Sequence, residues 1–326
     1  MAASLIGWIT TAIVYGTILA IAACGESLNE KVGHLNLGVP GIMYLAGVLS
    51  FGAVSAYEST PNPNGFLDAV IGIGVALAVG AVLGLLYSLF CATFKANQNV
   101  MGLAISAFGT GFGMFFSTIF DGKPKLAMAG ANFNAGIPGL KSIPVVGPLF
   151  FGYGFMTYVT LAILILTALF LNKTRAGLNL RAVGESPAGA DAVGINVLKY
   201  KYLTTTVGCS LCGLAGLVYV FQYSGGTWST NNNIEALGWL AIALVIFALW
   251  RPRHLIWAAP LFGFLFWAYN FLPGLIPNMG FVGMTEIFQM LPYLVTIIVL
   301  IVSSLKKKKE NQPPESLGLN YFREDR

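Results

Sequence analysis

Ala69-Val-Ile-Gly-Ile-Gly-Val-Ala-Leu-Ala-Val-Gly-Ala-Val-Leu-Gly-Leu-Leu-Tyr-Ser-Leu-Phe-Cys-Ala92 contains no charged residue and no proline. A helix rises ~1.5 Å per residue, so about 20 such residues match the ~30 Å hydrocarbon core of a bilayer. The whole block, 66–94, exceeds one perpendicular crossing, which predicts tilt or emergence from the membrane. Eight further blocks read the same way: 5–24, 37–57, 98–120, 151–171, 202–223, 234–250, 255–275 and 286–304. Composition agrees. The 326 residues are 56% hydrophobic and 10% charged, against about 25% charged in soluble domains. Alternating ~10-residue strands of an outer-membrane barrel are absent. The expected fold is an all-α polytopic transmembrane bundle of about nine spans, with residues 1–305 as one transmembrane domain and 306–326 as a basic, polar tail. The first block lacks a basic flank and reads as a retained helix rather than a cleaved signal. Gly38, Pro40 and Gly41 open the second block, which predicts a broken or re-entrant first turn; such backbone survives at depth only where protein or a water-filled path satisfies it.

Positive charge sets the orientation. With the tail cytoplasmic and nine crossings, Lys31, Lys95, Lys173, Arg175, Arg181, Lys199, Lys201, Arg251, Arg253, Lys306, Lys307, Lys308, Lys309, Arg323 and Arg326 fall inside. Only Lys123, Lys125 and Lys141 fall outside, and the N-terminus is then external. The net charge of +5 is topology signal rather than a nucleic-acid footprint. Within the predicted spans ionisable residues occur only near the ends, at Asp68, Glu235 and Glu286. Self-coupled carriers usually keep an ionisable group at depth, so this pattern points to a pore powered by something else. A backbone-carbonyl sodium site keeps the carrier or channel reading open. His34 and His254 are expected in solvated loops, and Cys24, Cys91, Cys209 and Cys212 as small packing residues rather than metal ligands. No G-x-x-x-x-G-K-[ST] phosphate loop occurs, so ATP hydrolysis is not expected here. No carboxylate cluster or nucleophile–base arrangement supports an enzyme. Gly80 with Gly84 and Gly109 with Gly113 form small-x-x-x-small steps suited to close helix crossings.

The longest polar stretch before the tail lies in the loop 172–201, and includes Asn172-Lys-Thr-Arg-Ala-Gly-Leu-Asn-Leu-Arg-Ala-Val-Gly-Glu-Ser-Pro-Ala-Gly-Ala-Asp-Ala-Val-Gly-Ile-Asn196. Ser186 suits an N-cap, Pro187 the first helical position, and Gly194 the position just past the end. A short helix over 188–193 follows. Amides and hydroxyls near the second and fourth spans, at Asn36, Asn97, Gln98, Asn99 and Ser106, are candidates to exchange hydrogen bonds with a passing solute. Helix capping and interhelical bonding are the alternative roles for each.

The 174–196 stretch resembles the coupling loop of bacterial ABC importer permeases, in the branch serving nucleosides and simple sugars. Three further segments carry the resemblance in order: Asn29-Glu-Lys-Val-Gly-His-Leu-Asn-Leu-Gly-Val-Pro-Gly-Ile-Met43, Phe94-Lys-Ala-Asn-Gln98 with Gly102, and Pro314-Glu-Ser-Leu-Gly318 followed by Tyr321-Phe-Arg-Glu-Asp-Arg326. The last is similar to the smaller of the two paired nucleoside permeases. The resemblance implies a transporter subunit in the bacterial inner membrane, paired with a second homologous permease. It also implies a cytoplasmic ATPase that holds ATP and magnesium, and an external substrate-binding lipoprotein. No cofactor is implied for this chain and no nucleic acid as partner. Gly184, Glu185, Ser186, Pro187, Ala190, Asp191, Gly194 and Ile195 would carry the contact with the ATPase. Pro40 stands where the family commonly has a glutamate, and Asn99, Met101 and Ser106 also depart from it. These departures keep a sugar or riboflavin-like solute open beside a nucleoside.

Overall fold

A computed structural model describes residues 2–144, 146–230, 233–275, 285–306 and 312–322. Lys307, Lys308, Lys309, Arg323 and Arg326, counted above toward the charge asymmetry, lie outside the described residues. Thirteen α-helices are found among the described residues: α1 Ala2–Lys31, α2 Val39–Glu58, α3 Gly65–Ser88, α4 Gln98–Phe120, α5 Ala127–Phe133, α6 Phe155–Lys173, α7 Arg175–Glu185, α8 Pro187–Ala192, α9 Val197–Val218, α10 Ile234–Phe247, α11 Pro252–Phe266, α12 Ala268–Leu275 and α13 Thr285–Lys306. No strand occurs among them. Each hydrophobic block of the sequence is therefore helical. Among the described residues, six helices are long and apolar enough to cross a membrane alone: Leu5–Lys31, Val39–Glu58, Gly65–Thr93, Gln98–Phe120, Phe155–Lys173 and Val197–Tyr223. The block expected at 234–250 is shorter, at Ile234–Phe247. That at 255–275 is two helices, because α11 closes with Trp267 N–H on the Gly263 carbonyl before α12 begins.

The surface is that of a protein dissolved in lipid. Phe108, Phe112, Phe115 and Ile119 of α4 and Leu161, Ile165, Leu166 and Leu169 of α6 are exposed. Such continuous apolar faces are tolerated where the solvent is hydrocarbon. The protein is a multi-pass membrane protein. Its core is built around α2, of which thirteen residues are buried, enclosed by α3, α4, α9 and α10.

Close helix approach replaces the hydrophobic drive that lipid cannot supply. The expected glycine steps sit at these crossings. A Cβ on Gly80 would strike the Cys209 carbonyl, and one on Gly84 would lie 2.9 Å from the Thr205 oxygen, so α3 meets α9 backbone to backbone. The same pairs show the two helices run antiparallel. Both end in a π-helical turn, at Leu89–Thr93 and Tyr219–Tyr223. In each, the first residue past the turn donates to a carbonyl five positions back, Phe94 to Leu89 at 3.1 Å and Ser224 to Tyr219 at 2.8 Å.

Candidate functional site

The irregular backbone lies at 32–38, just ahead of the turn expected to break. Gly38 is the N-cap of α2, Pro40 and Gly41 sit in its regular first turn, and several backbone groups of the segment find partners outside a helix ladder. Gly33 and His34 N–H donate to the Glu30 and Asn29 carbonyls, at 2.9 and 3.0 Å. Leu35 N–H donates to Gln98 Oε1 at 2.8 Å, and its carbonyl accepts from the Tyr87 hydroxyl at 2.7 Å. Asn36 N–H donates to Glu26 Oε1 at 3.1 Å, and Gly38 N–H to Asn36 Oδ1 at 2.9 Å. Side chains thus do here what a helix ladder does elsewhere, the condition for irregular backbone inside a bundle.

This corrects two sequence expectations. The first helix does not stop at residue 24 but continues to Lys31, placing Glu26 and Glu30 fully inside the protein. Ionisable residues are therefore not confined to Asp68, Glu235 and Glu286, and the inference that the pore lacks a buried carboxylate does not stand. Glu26 accepts from Asn29 Nδ2 at 2.8 Å as well as from the backbone, and Glu30 accepts from Trp250 Nε1. Trp250 sits in the α10–α11 turn, whose backbone is left-handed at Leu249 and Trp250, both with φ 55°. His34, expected in solvent, is fully buried; its Nδ1 lies 2.8 Å from Thr205 Oγ1. Burial, with Lys201 and Lys95 nearby, holds the imidazole well below its usual pKa and so neutral. His254 is half-buried, with Nδ1 donating to the Ala248 carbonyl at 2.9 Å.

The five candidate solute contacts each have a local setting of their own in the fold. Asn36 is fully buried, and its Nδ2 donates to Cys209 Sγ at 3.3 Å. Asn97 caps α4, accepting from Asn99 and Val100 N–H at 3.0 and 3.2 Å. Gln98 joins Leu35 to the Leu319 carbonyl, its Nε2 donating at 3.1 Å. Ser106 is buried where α4 crosses α2 at Gly41, and Asn99 is exposed on the first turn of α4. The four cysteines are free and buried, as packing residues should be, and Cys209 also accepts from two amides.

At the same end of the bundle, the short helix read at 188–193 is present as α8, whereas residues 175–185 form a further helix, α7, and α9 starts at Val197, neither of which was expected. Thr174 Oγ1 caps α7 by accepting from Gly177 N–H at 3.0 Å. Ser186 Oγ caps α8 by accepting from Gly189 N–H at 3.2 Å, with Pro187 opening the helix. Gly194 closes it at φ 85°. Ile195 N–H donates to the Ala190 carbonyl and Gly194 N–H to that of Asp191, both at 3.0 Å, which is the Schellman pattern. Gly184 packs so tightly on Lys31 that any Cβ would strike its carbonyl.

The residues of α8 divide between two faces. Ala190, 4% exposed, faces the bundle and packs with Leu28, Val32, Leu171, Leu180, Val183 and Val197. Glu185, Ser186, Ala188, Gly189, Ala192 and Gly194 face out. Between Ala192 and Gly194 projects Val193, 75% exposed. Sequence reading passed over Val193 because an isolated valine in an alanine-rich stretch carries no signal of exposure. Asp191 Oδ2 accepts from the Tyr321 hydroxyl at 2.9 Å, so the tail touches α8 directly.

Comparison with known proteins adds to this geometry. A family described as branched-chain amino acid transport system, permease component, matches residues 8–300. The chain is 30% identical to the guanosine ABC transporter permease NupQ of Bacillus subtilis, over 88% of this chain and 89% of that protein. It is 29% identical to the nucleoside ABC transporter permease NupC of Lactococcus lactis, over 95% of each. It is also 29% identical, over 98% of each, to a Haloferax volcanii protein provisionally named as the glucose ABC transporter permease TsgC13. These relatives are transporter subunits rather than enzymes. A match running from α1 into α13, on a glycine-crossed helical bundle with a capped loop helix, leaves one conclusion: the chain belongs to the permease-component family of ABC transporters.

Proposed function

We propose that this chain is one of two homologous permeases forming the membrane pore of an importer for a nucleoside, driven by a cytoplasmic ATPase and supplied by an external binding lipoprotein. The near-full-length similarity to guanosine and nucleoside permeases carries the substrate reading. In this reading the protein lies in the bacterial inner membrane, with the N-terminus outside and with α7, α8 and the tail cytoplasmic. The charge asymmetry supports that orientation.

The helix α8 supports the coupling role. It is capped at both ends by its own residues, so it holds its shape without a partner. Its outer face offers small residues around one projecting apolar side chain, Val193. A rigid element of this kind, seated in a cleft of a two-state ATPase, passes closure of that cleft to the helices behind it. ATP and magnesium would sit on the ATPase. The similarity to TsgC13 favours a sugar as the second substrate reading.

Deleting the gene for this chain and measuring uptake of labelled nucleosides and sugars tests the proposal. Nucleoside uptake is expected to be lost and restored by the intact chain. Unchanged nucleoside uptake with loss of a sugar would overturn the substrate reading.

A further inference from the structure

The tail residues 314–322 lie across three separate parts of the chain. Ser316 N–H donates to the Gly184 carbonyl at 3.1 Å, and its hydroxyl donates to the same oxygen. Gly318 N–H donates to the Gly33 carbonyl at 3.3 Å. The Leu319 carbonyl accepts from Gln98 Nε2 at 3.1 Å. Asn320 Nδ2 donates to the carbonyls of Lys95 and Ala96 at 2.6 and 3.1 Å. The Tyr321 hydroxyl donates to Asp191 at 2.9 Å, and Lys95 Nζ lies 5.8 Å from the centre of the Phe322 ring.

An ordinary solvated tail does not make this pattern. Pro314 and Ser316 are buried, and six of the seven residues from Ser316 to Phe322 contact another part of the chain. Both ends grip the loop helices, Ser316 at Gly184 and Tyr321 at Asp191. Residues 318–320 between them grip the irregular segment before α2 and the junction between α3 and α4, where Phe322 also meets Lys95. That junction is backbone under constraint: Lys95 has φ 58°, a left-handed conformation that a residue with a Cβ keeps only when its surroundings determine it. The Asn320 amide holds the Lys95 carbonyl itself.

We propose that residues 314–322 form a strap that positions α8 and joins its movement to the inner ends of α2 and α4, making Ser316, Asn320 and Tyr321 positioning residues for coupling. The inference rests on the reading of α8 as the contact with the ATPase. When a closing ATPase pushes α8, the strap pulls on the backbone of residues 33 and 95–96, in the segments that lead into α2 and α4. Without it α8 remains attached through the Ala190 side, but that cluster leads only to α1, α6, α7 and α9. The strap adds a direct link to α2 and α4.

The test uses the whole transporter reconstituted in liposomes, with Tyr321→Phe, Asn320→Ala, a chain truncated after Glu315, and Val193→Asp. ATPase retained on the permease, ATP hydrolysed and solute accumulated are measured on the same preparations. The truncation and Asn320→Ala are expected to retain ATPase while moving less solute per ATP. Tyr321→Phe removes one oxygen and no packing, so it tests the strap without threatening the fold. A single hydrogen bond present in only one of two coupled states shifts their balance about fivefold, and solute moved per ATP should fall by about that factor. Val193→Asp, on the face that would meet the ATPase, should lose the ATPase itself. If Val193→Asp abolishes binding while all three strap variants keep the parent ratio of solute to ATP, the strap is overturned and the α8 reading stands. If Val193→Asp binds ATPase and transports like the parent, the α8 reading fails and the strap inference falls with it.

Discussion

Replacing Gln98 with leucine would remove one amide that holds two backbone groups from different parts of the chain. Its Oε1 accepts from Leu35 N–H at 2.8 Å and its Nε2 donates to the Leu319 carbonyl at 3.1 Å. Gln98 is buried. Leucine is close in size, so a cavity contributes little. Each lost hydrogen bond costs about 1 kcal/mol net, and a buried donor left without a partner costs about 1–3 kcal/mol. The second penalty falls on Leu35 N–H, which has no helix ladder to return to, whereas Leu319 is exposed and its carbonyl can turn to water. The total is about 2–4 kcal/mol. At roughly 2–4 °C per kcal/mol for larger domains, the melting midpoint of the purified transporter should drop by about 4–16 °C. Gln98→Glu keeps an acceptor for Leu35 and should lose less. Fluorescence-detected size-exclusion chromatography after heating reads the midpoint, and competition between labelled solutes reads selectivity. A role for Gln98 in the solute path predicts the opposite pattern. Parent-like melting with altered solute selectivity in Gln98→Leu would refute the structural argument.

Ala190→Trp should damage the fold rather than the outer face, since overpacking a closed cluster costs about 1–3 kcal/mol; it should lower the yield of folded protein, while Val193→Asp should melt like the parent. Gly80→Leu drives a side chain into the Cys209 carbonyl, so α3 and α9 must separate. It should leave little monodisperse protein on size exclusion, and a normal profile would mean the crossing is not close-packed. Cysteines placed at Asn62 and Lys123, both exposed, should react with an impermeant thiol reagent in intact cells. One at Ala188 should react only after permeabilisation, with little background because the native cysteines are buried; labelling of Ala188→Cys from outside would reverse the proposed orientation.

Whatever depends on neighbours along the chain was legible before the structure was known. A block such as 69–92 must be helical in lipid, because its own backbone is the nearest supply of hydrogen-bond partners. Ser186, Pro187 and Gly194 announced the ends of α8, because capping is decided within a few residues. The glycine steps of α3 and α4 announced close crossings for the same reason, though not which helix would be met. Gly38 and Pro40 marked the start of α2, where they stand at the N-cap and in the first turn, but not that the irregular backbone would precede them.

Tertiary structure alone decided what each buried polar group does. Glu26, Glu30 and His34 are ordinary loop residues in sequence, and become interior because α9, α10 and the α10–α11 turn close around them. Gln98 and Asn36 carry amides equally suited to a solute, a helix end or a stretch of naked backbone. The choice was made by a segment tens of residues away. Ala190 and Val193 differ by less than one helical turn, yet one faces the protein and the other faces out, because the rotation of α8 is set by the apolar cluster beneath Ala190. The tail shows the same limit: nothing local in Ser316, Asn320 or Tyr321 points to Gly184, Lys95 or Asp191. Partition into lipid and helix capping are local free energies, and sequence carries them. Pairing of polar groups across a bundle depends on which segments meet, and only the folded chain settles that.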